Sequence, residues 1–112
     1  MKVRFLPKSC YETAKELNVN SILLAFSGGH DEGYLDVTIN VNDDKNIKGK
    51  LSYLERDIEK WAWKAYDYCG TGEGIDYGHN ITYDLINNKV EIQEWEMQRK
   101  YEDPVVYEMK TN

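Results

Sequence analysis

The segment Tyr34 to Val41 alternates without a break. Leu35, Val37, Ile39 and Val41 fall on one side, Tyr34, Asp36, Thr38 and Asn40 on the other. Successive side chains of a β-strand point to opposite faces, so this pattern describes a strand with one face in a core and one in water. A sheet of that kind needs a second layer on its apolar side. From about Lys50 onward, Leu51, Leu54, Ile58, Trp61, Ala65 and Tyr68 recur every three or four residues, the spacing of one helical face. Cys69-Gly70 closes that helix as a C-cap would.

The remaining elements follow from shorter signals. Ser9-Cys10-Tyr11-Glu12 fits a capping box, which predicts a short helix from about Cys10 to Leu17, ending at Asn18-Val19-Asn20. Ser21 to Phe26 is an apolar run bounded by Gly28-Gly29 and reads as a buried strand, paired with Tyr34 to Val41 across a Ser27–Gly33 loop. Asn80 to Ile86 alternates again, Asn87-Asn88 suits a two-residue turn, and Lys89 to about Gln98 runs back. That tight turn sets Leu85 against Val90, Tyr83 against Ile92, and Ile81 against Glu94. It leaves Thr82, Asp84, Glu91, Gln93, Trp95 and Met97 on the other side, with Asp84 directly across from Glu91.

The order is helix, strand, strand, helix, strand, strand. It predicts an α+β domain in which two helices pack on one face of a four-stranded antiparallel sheet, the other face being left to solvent or a partner. All 112 residues form a single domain with no Pro-rich or low-complexity linker. Val105-Val106-Tyr107, after Pro104, suits a short additional edge strand.

Charge narrows the partners. Fourteen Lys and Arg against twenty Asp and Glu leave a formal net charge of -6, which opposes direct binding to nucleic acid or to anionic membranes. Two Cys rule out a disulfide scaffold, and the start of the chain leads into no signal-peptide core, so a cytoplasmic protein is expected. Nine Tyr and three Trp against two Phe give an aromatic content with polar tips, suited to half-buried edges and interfaces, homodimerisation included.

The strand–Ser27-Gly28-Gly29-His30-Asp31-Glu32-Gly33–strand segment resembles one found in a family of small proteins of unknown function from bacteria and their phages. The second block, a helix followed by Gly70 to His79 and a strand pair with an acidic returning strand, is similar to the same family. The likeness covers roughly Ser21 to Glu102 and implies a fold and a habitat among mobile elements. The family's first loop reads closer to Gly-Asp-Ser-Gly; His30 and Glu32 depart from it, so no role carries over to them.

Two candidate sites emerge. The first is the wet sheet face with the acidic last strand: Asp36, Asp84, Glu91, Gln93, Glu94, Trp95, Glu96 and Met97. Carboxylates around an indole suit an interface with a charged rim. The expected partner is a larger basic protein. In the version that the resemblance implies, the chain is a phage or mobile-element inhibitor of a bacterial defence nuclease, anti-CRISPR-like, with carboxylates standing in for phosphates. The same face also reads as merely solvated, its acids guarding against aggregation. The second candidate is a metal or small-ligand site made by the two Gly-rich loops, from His30, Asp31, Glu32, Glu73, Asp76 and His79. Their spacing matches no EF-hand or helical His pair, and turns that need Gly for geometry account for the same residues. Cys10 and Cys69 sit in no nucleophile elbow. The expectation is a protein that is not an enzyme and carries no cofactor.

Overall fold

The computed structural model describes residues 3–29, 32–41, 48–66, 77–96 and 104–109. Seven elements run in the order α1 (Lys8–Glu16), β1 (Val19–Gly29), β2 (Glu32–Val41), α2 (Lys48–Tyr66), β3 (Tyr77–Asp84), β4 (Lys89–Glu96) and β5 (Val105–Glu108). The protein is α+β, but its antiparallel sheet has five strands rather than four, in the order β2-β1-β3-β4-β5. The extra strand comes from the tail after Pro104.

α1 starts two residues earlier than the sequence predicts. The Pro7 carbonyl accepts the Tyr11 amide at 2.9 Å, and Lys8 is the first helical residue. Ser9 therefore lies inside the helix, and the capping box does not form: the N-cap is Pro7, with no side-chain cap. The helix ends as expected at Asn18, whose φ of 59° is a left-handed conformation that Asn tolerates. Its amide donates to the Lys15 carbonyl at 3.1 Å.

The Gly-rich segment after β1 is mostly strand. Gly28 pairs with Gly33 and Gly29 with Glu32, so the first hairpin extends well past Phe26. β1 is an interior strand and pairs on its other side with β3, the central strand, setting Leu24 against Ile81 and Phe26 against His79.

The second hairpin departs from its predicted register by two residues. Tyr83 faces Val90, Ile81 faces Ile92, His79 faces Glu94, and Asp84 faces Lys89 rather than Glu91. The connection is four residues long, Leu85 to Asn88, with Asn88 at a φ of 57°. Two interactions lengthen it. Leu85 turns inward and is buried, while the Asp84 carboxylate accepts the Ile86 and Asn87 amides at 3.0 and 3.1 Å. The turn is also tied to its surroundings: Lys15 of α1 donates to the Leu85 carbonyl, and the Asn88 side chain donates to the Met109 carbonyl beyond β5 at 2.7 Å.

One core fills the space between sheet and helices. It joins Cys10 and Ala14 of α1, Leu54, Ile58 and Ala62 of α2, and Ile22, Leu24, Phe26, Ile81, Tyr83, Val90 and Ile92 of the sheet. Phe26 meets Trp63 and Tyr66 of α2 edge-on, with ring centroids 5.6 and 5.8 Å apart. Tyr83 touches Trp61. Ala62, absent from the predicted stripe, is fully sealed, and the stripe residue Trp61 is only half-buried beside it. Every sheet residue in these contacts belongs to one side of the pleat, so both helices cover the same face. Tyr68, Cys69 and the expected C-cap lie outside the described residues.

A tyrosine pair closes this layer. The Arg4 amide donates to the Tyr66 hydroxyl, Tyr66 bonds Tyr83, and Tyr83 donates to the Arg4 carbonyl at 2.7 Å. Each hydroxyl has one proton, and this assignment satisfies the ring of groups once around. Burial pushes both phenols above their ordinary range.

Candidate functional site: the open face of the sheet

Residues directly opposite each other on paired strands share a face, so the registers define the uncovered side row by row. Tyr34, Ser27, Gly78 and Trp95 form one row, and Asp36, Ala25, Asn80 and Gln93 the next. Thr38, Leu23, Thr82, Glu91 and Val106 follow, then Asn40, Ser21, Asp84, Lys89 and Glu108. This is the opposite side of the pleat from Ile22, Leu24 and Phe26, which the helices cover.

Five of the eight predicted partner-facing residues meet here: Asp36, Asp84, Glu91, Gln93 and Trp95. Glu94 does not. It lies on the helix-side face, 3.5 Å from His79 Nε2. Neighbours along a strand point to opposite faces, so Gln93 and Glu94 cannot share one. Glu96 ends β4 opposite Tyr77, with its side chain outside the described residues, and Met97 lies outside them altogether.

The acids on the open face are not equivalent. Asp84 is engaged by its own turn, through the Ile86 and Asn87 amides and the Asn87 side-chain amide at 2.8 Å, and Lys89 stands opposite. The Asn87 hydrogen bonds hold its carboxyl below the usual range, with a smaller contribution from Lys89. Asp84 is a turn residue before it is a binding residue. Glu91 faces Thr82 and is exposed, as is Asp36 opposite Ala25. With Glu108 on β5, they carry the negative character of this face.

Trp95 is half-buried rather than free in solvent, and Gly78 is the reason. A methyl group at Gly78 would overlap the indole Nε1 and Cε2 and also the Phe26 carbonyl oxygen. The indole therefore lies across the Gly78 backbone, an aromatic ring covering a strand glycine. Its orientation is set by the strand beneath it. Tyr34, 56% exposed, stands at the other end of that row, with Ser27 and Gly78 between. The alternation already put Tyr34 on the wet side, but only the β1–β3 pairing brings it into line with Trp95.

Of the predicted loop site, only His79 has a described side chain. It is half-buried; desolvation lowers its pKa, and the Glu94 carboxylate opposes that shift. Glu32 begins β2 with its side chain outside the described residues, while His30, Asp31, Glu73 and Asp76 lie wholly outside. Among the described residues no three His, Cys, Asp or Glu side chains gather as a metal site would require, and no helix is long and apolar enough to cross a membrane. Cys10 is buried, which raises its thiol pKa, and Asp57 adds to the shift.

What the fold and this face define is a two-layer α+β protein with one mostly polar sheet face that no described element covers. No protein-family model, curated protein or solved structure matches the chain.

Proposed function

We propose that the protein is a binding module whose open sheet face seats on a basic surface of a larger protein. The observation that carries this reading is the position of Trp95. A large amphipathic ring, oriented by Gly78, lies at one end of an uncovered face whose exposed acids are Asp36, Glu91 and Glu108. Interface anchors have this character: an aromatic held by its neighbours, with charge at the rim to steer association. The net charge of -6 favours a cationic partner at longer range.

The specific form of the proposal follows the resemblance described above. In that form the chain is a mobile-element inhibitor acting in the cytoplasm, not an enzyme, and its carboxylates take the place of phosphates in the groove of a defence nuclease. Capture from bacterial lysate on the immobilised chain tests the surface. A basic protein should be retained, released as salt is raised from ~50 to ~500 mM, where charge screening becomes nearly complete, and lost with the Trp95→Ala/Glu91→Lys variant. Circular dichroism confirms that the variant is folded. Identical retention by wild type and variant, or retention insensitive to salt, rejects the reading.

A further inference from the structure

The two edges of the sheet are unlike. β5 is four residues long, exposed throughout, and preceded by Pro104. Short length and a nearby proline are common guards against unwanted pairing. β2 forms the opposite edge and runs for ten residues. Between Gly33 and Val41 it has no proline, lysine or arginine, and one charged residue, Asp36. The single irregularity in the β1–β2 pairing lies between Val19 and Ser21, on the inner strand. The helix-side row of β2, Leu35, Val37, Ile39 and Val41, is half-buried, whereas Ile22, Leu24 and Phe26 beside it on β1 are fully sealed. The core thus thins toward a long strand whose outer N–H and C=O groups face no other strand in the described sheet.

We propose that this edge pairs with the same edge of a second copy of the chain, β2 against β2 antiparallel, about a two-fold axis through Val37. The sequence of the strand selects both the occupant and the register. Both helix layers stay on one side only if paired residues have the same parity. A two-fold through Asp36 would set the two Asp36 carboxylates against each other, a destabilising like-charge pair. A two-fold through Thr38 uses only seven residues of the described strand. The two-fold through Val37 uses all nine from Gly33 to Val41. It sets Leu35 against Ile39, Val37 against itself, Tyr34 against Asn40 and Asp36 against Thr38, so apolar residues meet apolar ones and no charge meets its like.

Nine paired residues supply on the order of ten backbone hydrogen bonds, about the number a stable interface carries. The chains repel through their net charges of -6, but with a Debye length of ~8 Å at physiological salt, charges far from the seam are largely screened. The outcome is one continuous ten-stranded sheet with both open faces on the same side. Pairing does not depend on what those faces bind; if they bind as proposed above, the dimer is bivalent toward a repeated partner.

Sedimentation equilibrium of the full chain from ~1 to ~100 µM tests the pairing, with the register read from Thr38, which is exposed on the open face. The wild type should dimerise within this range. Thr38→Lys places an opposite charge against Asp36 twice by symmetry and should tighten the dimer about three- to tenfold, whereas Thr38→Asp should loosen it by a similar factor. Combining Asp36→Lys with Thr38→Asp should restore dimerisation, and circular dichroism verifies that each variant is folded. The proposal is overturned by a wild type that stays monomeric throughout. It is equally overturned by a dimer indifferent to both Thr38 substitutions, or by an edge occupied only by a strand of another protein.

Discussion

On the helix side of the sheet, Ile22, Leu24, Phe26, Ile81, Tyr83 and Val90 are sealed from water completely. One residue along each strand, on the open side, the rows are mostly polar and partly solvated: Ser21, Ser27, Asn80, Thr82 and Gln93, with Leu23 and Ala25 among them. The covered face is specified by volume and by a closed set of hydrogen bonds, so nearly every position on it is sensitive. The open face rests on two local arrangements, the indole over Gly78 and the Asp84 turn. Between them lie positions that the fold leaves free, and a partner can impose its own demands there.

The largest effect that would sharpen this contrast is expected on the open face itself. Gly78→Ala introduces a methyl group that overlaps both the Trp95 ring and the Phe26 carbonyl. The ring can move, but the carbonyl belongs to β1, an interior strand paired on both sides. A loss of about 3 kcal/mol is expected in urea denaturation, the upper part of the range for overpacking. Adding Trp95→Ala should recover only part of it, because the backbone overlap remains. Full recovery would mean that Gly78 serves the indole alone. Thr82→Ala, four residues along the same strand and on the same face, is the control, with a change within about 0.5 kcal/mol.

On the covered face the matching test is polar. Tyr83→Phe removes one donor to the Arg4 carbonyl and the partner of the Tyr66 hydroxyl, but that hydroxyl, 3.0 Å from the same carbonyl, can turn to replace it, so the loss is about 0.5 to 1 kcal/mol. Tyr66→Phe should cost more, about 1 to 2 kcal/mol, because the Tyr83–Arg4 bond survives it but the Arg4 amide loses its acceptor. Thermal unfolding of both variants gives the order, and the reverse order would show that the Tyr66 hydroxyl does not turn to the Arg4 carbonyl when Tyr83 is lost.

The contrast also explains what was legible in the sequence. Period-two burial makes Tyr34 to Val41 readable, and the helical stripe from Leu51 to Ala65 is readable for the same reason, since each element buries only one side. The first hairpin's glycines read as a loop by composition, yet Gly28 and Gly33 pair within the ladder. Leu85 was opaque because an apolar residue buried in a turn looks like the next residue of a strand. The register depends on that residue, and so does the partner of Asp84, which is Lys89 and not Glu91. Glu94 is different: its exclusion from the open face was available from parity alone. The strand alternation puts Trp95 on the open face, but nothing in a single sequence indicates that a glycine seventeen residues upstream in the chain sets its orientation.

The smallest effect concerns the Asp84 turn and is read through pH. The carboxylate accepts the Ile86 and Asn87 amides and the Asn87 side chain, which favour its charged form and lower its pKa in the folded protein. A group with a depressed folded pKa stabilises the fold above its unfolded pKa, and the contribution disappears as pH falls through the folded value. The Asp84 contribution is therefore constant through neutral pH and is lost below the ordinary carboxylate range. Because the carboxylate is only partly shielded from solvent, it is worth only about 0.5 to 1 kcal/mol, similar to a modest helix cap. Asp84→Asn keeps an oxygen to accept the two backbone amides but has no charge. It should be less stable than wild type at neutral pH, and the gap in urea midpoints should close as both are taken to acid pH. A gap that persists unchanged in acid would mean that the turn depends on the shape of residue 84 and not on its charge. The open face would then have a single sensitive point, under the indole.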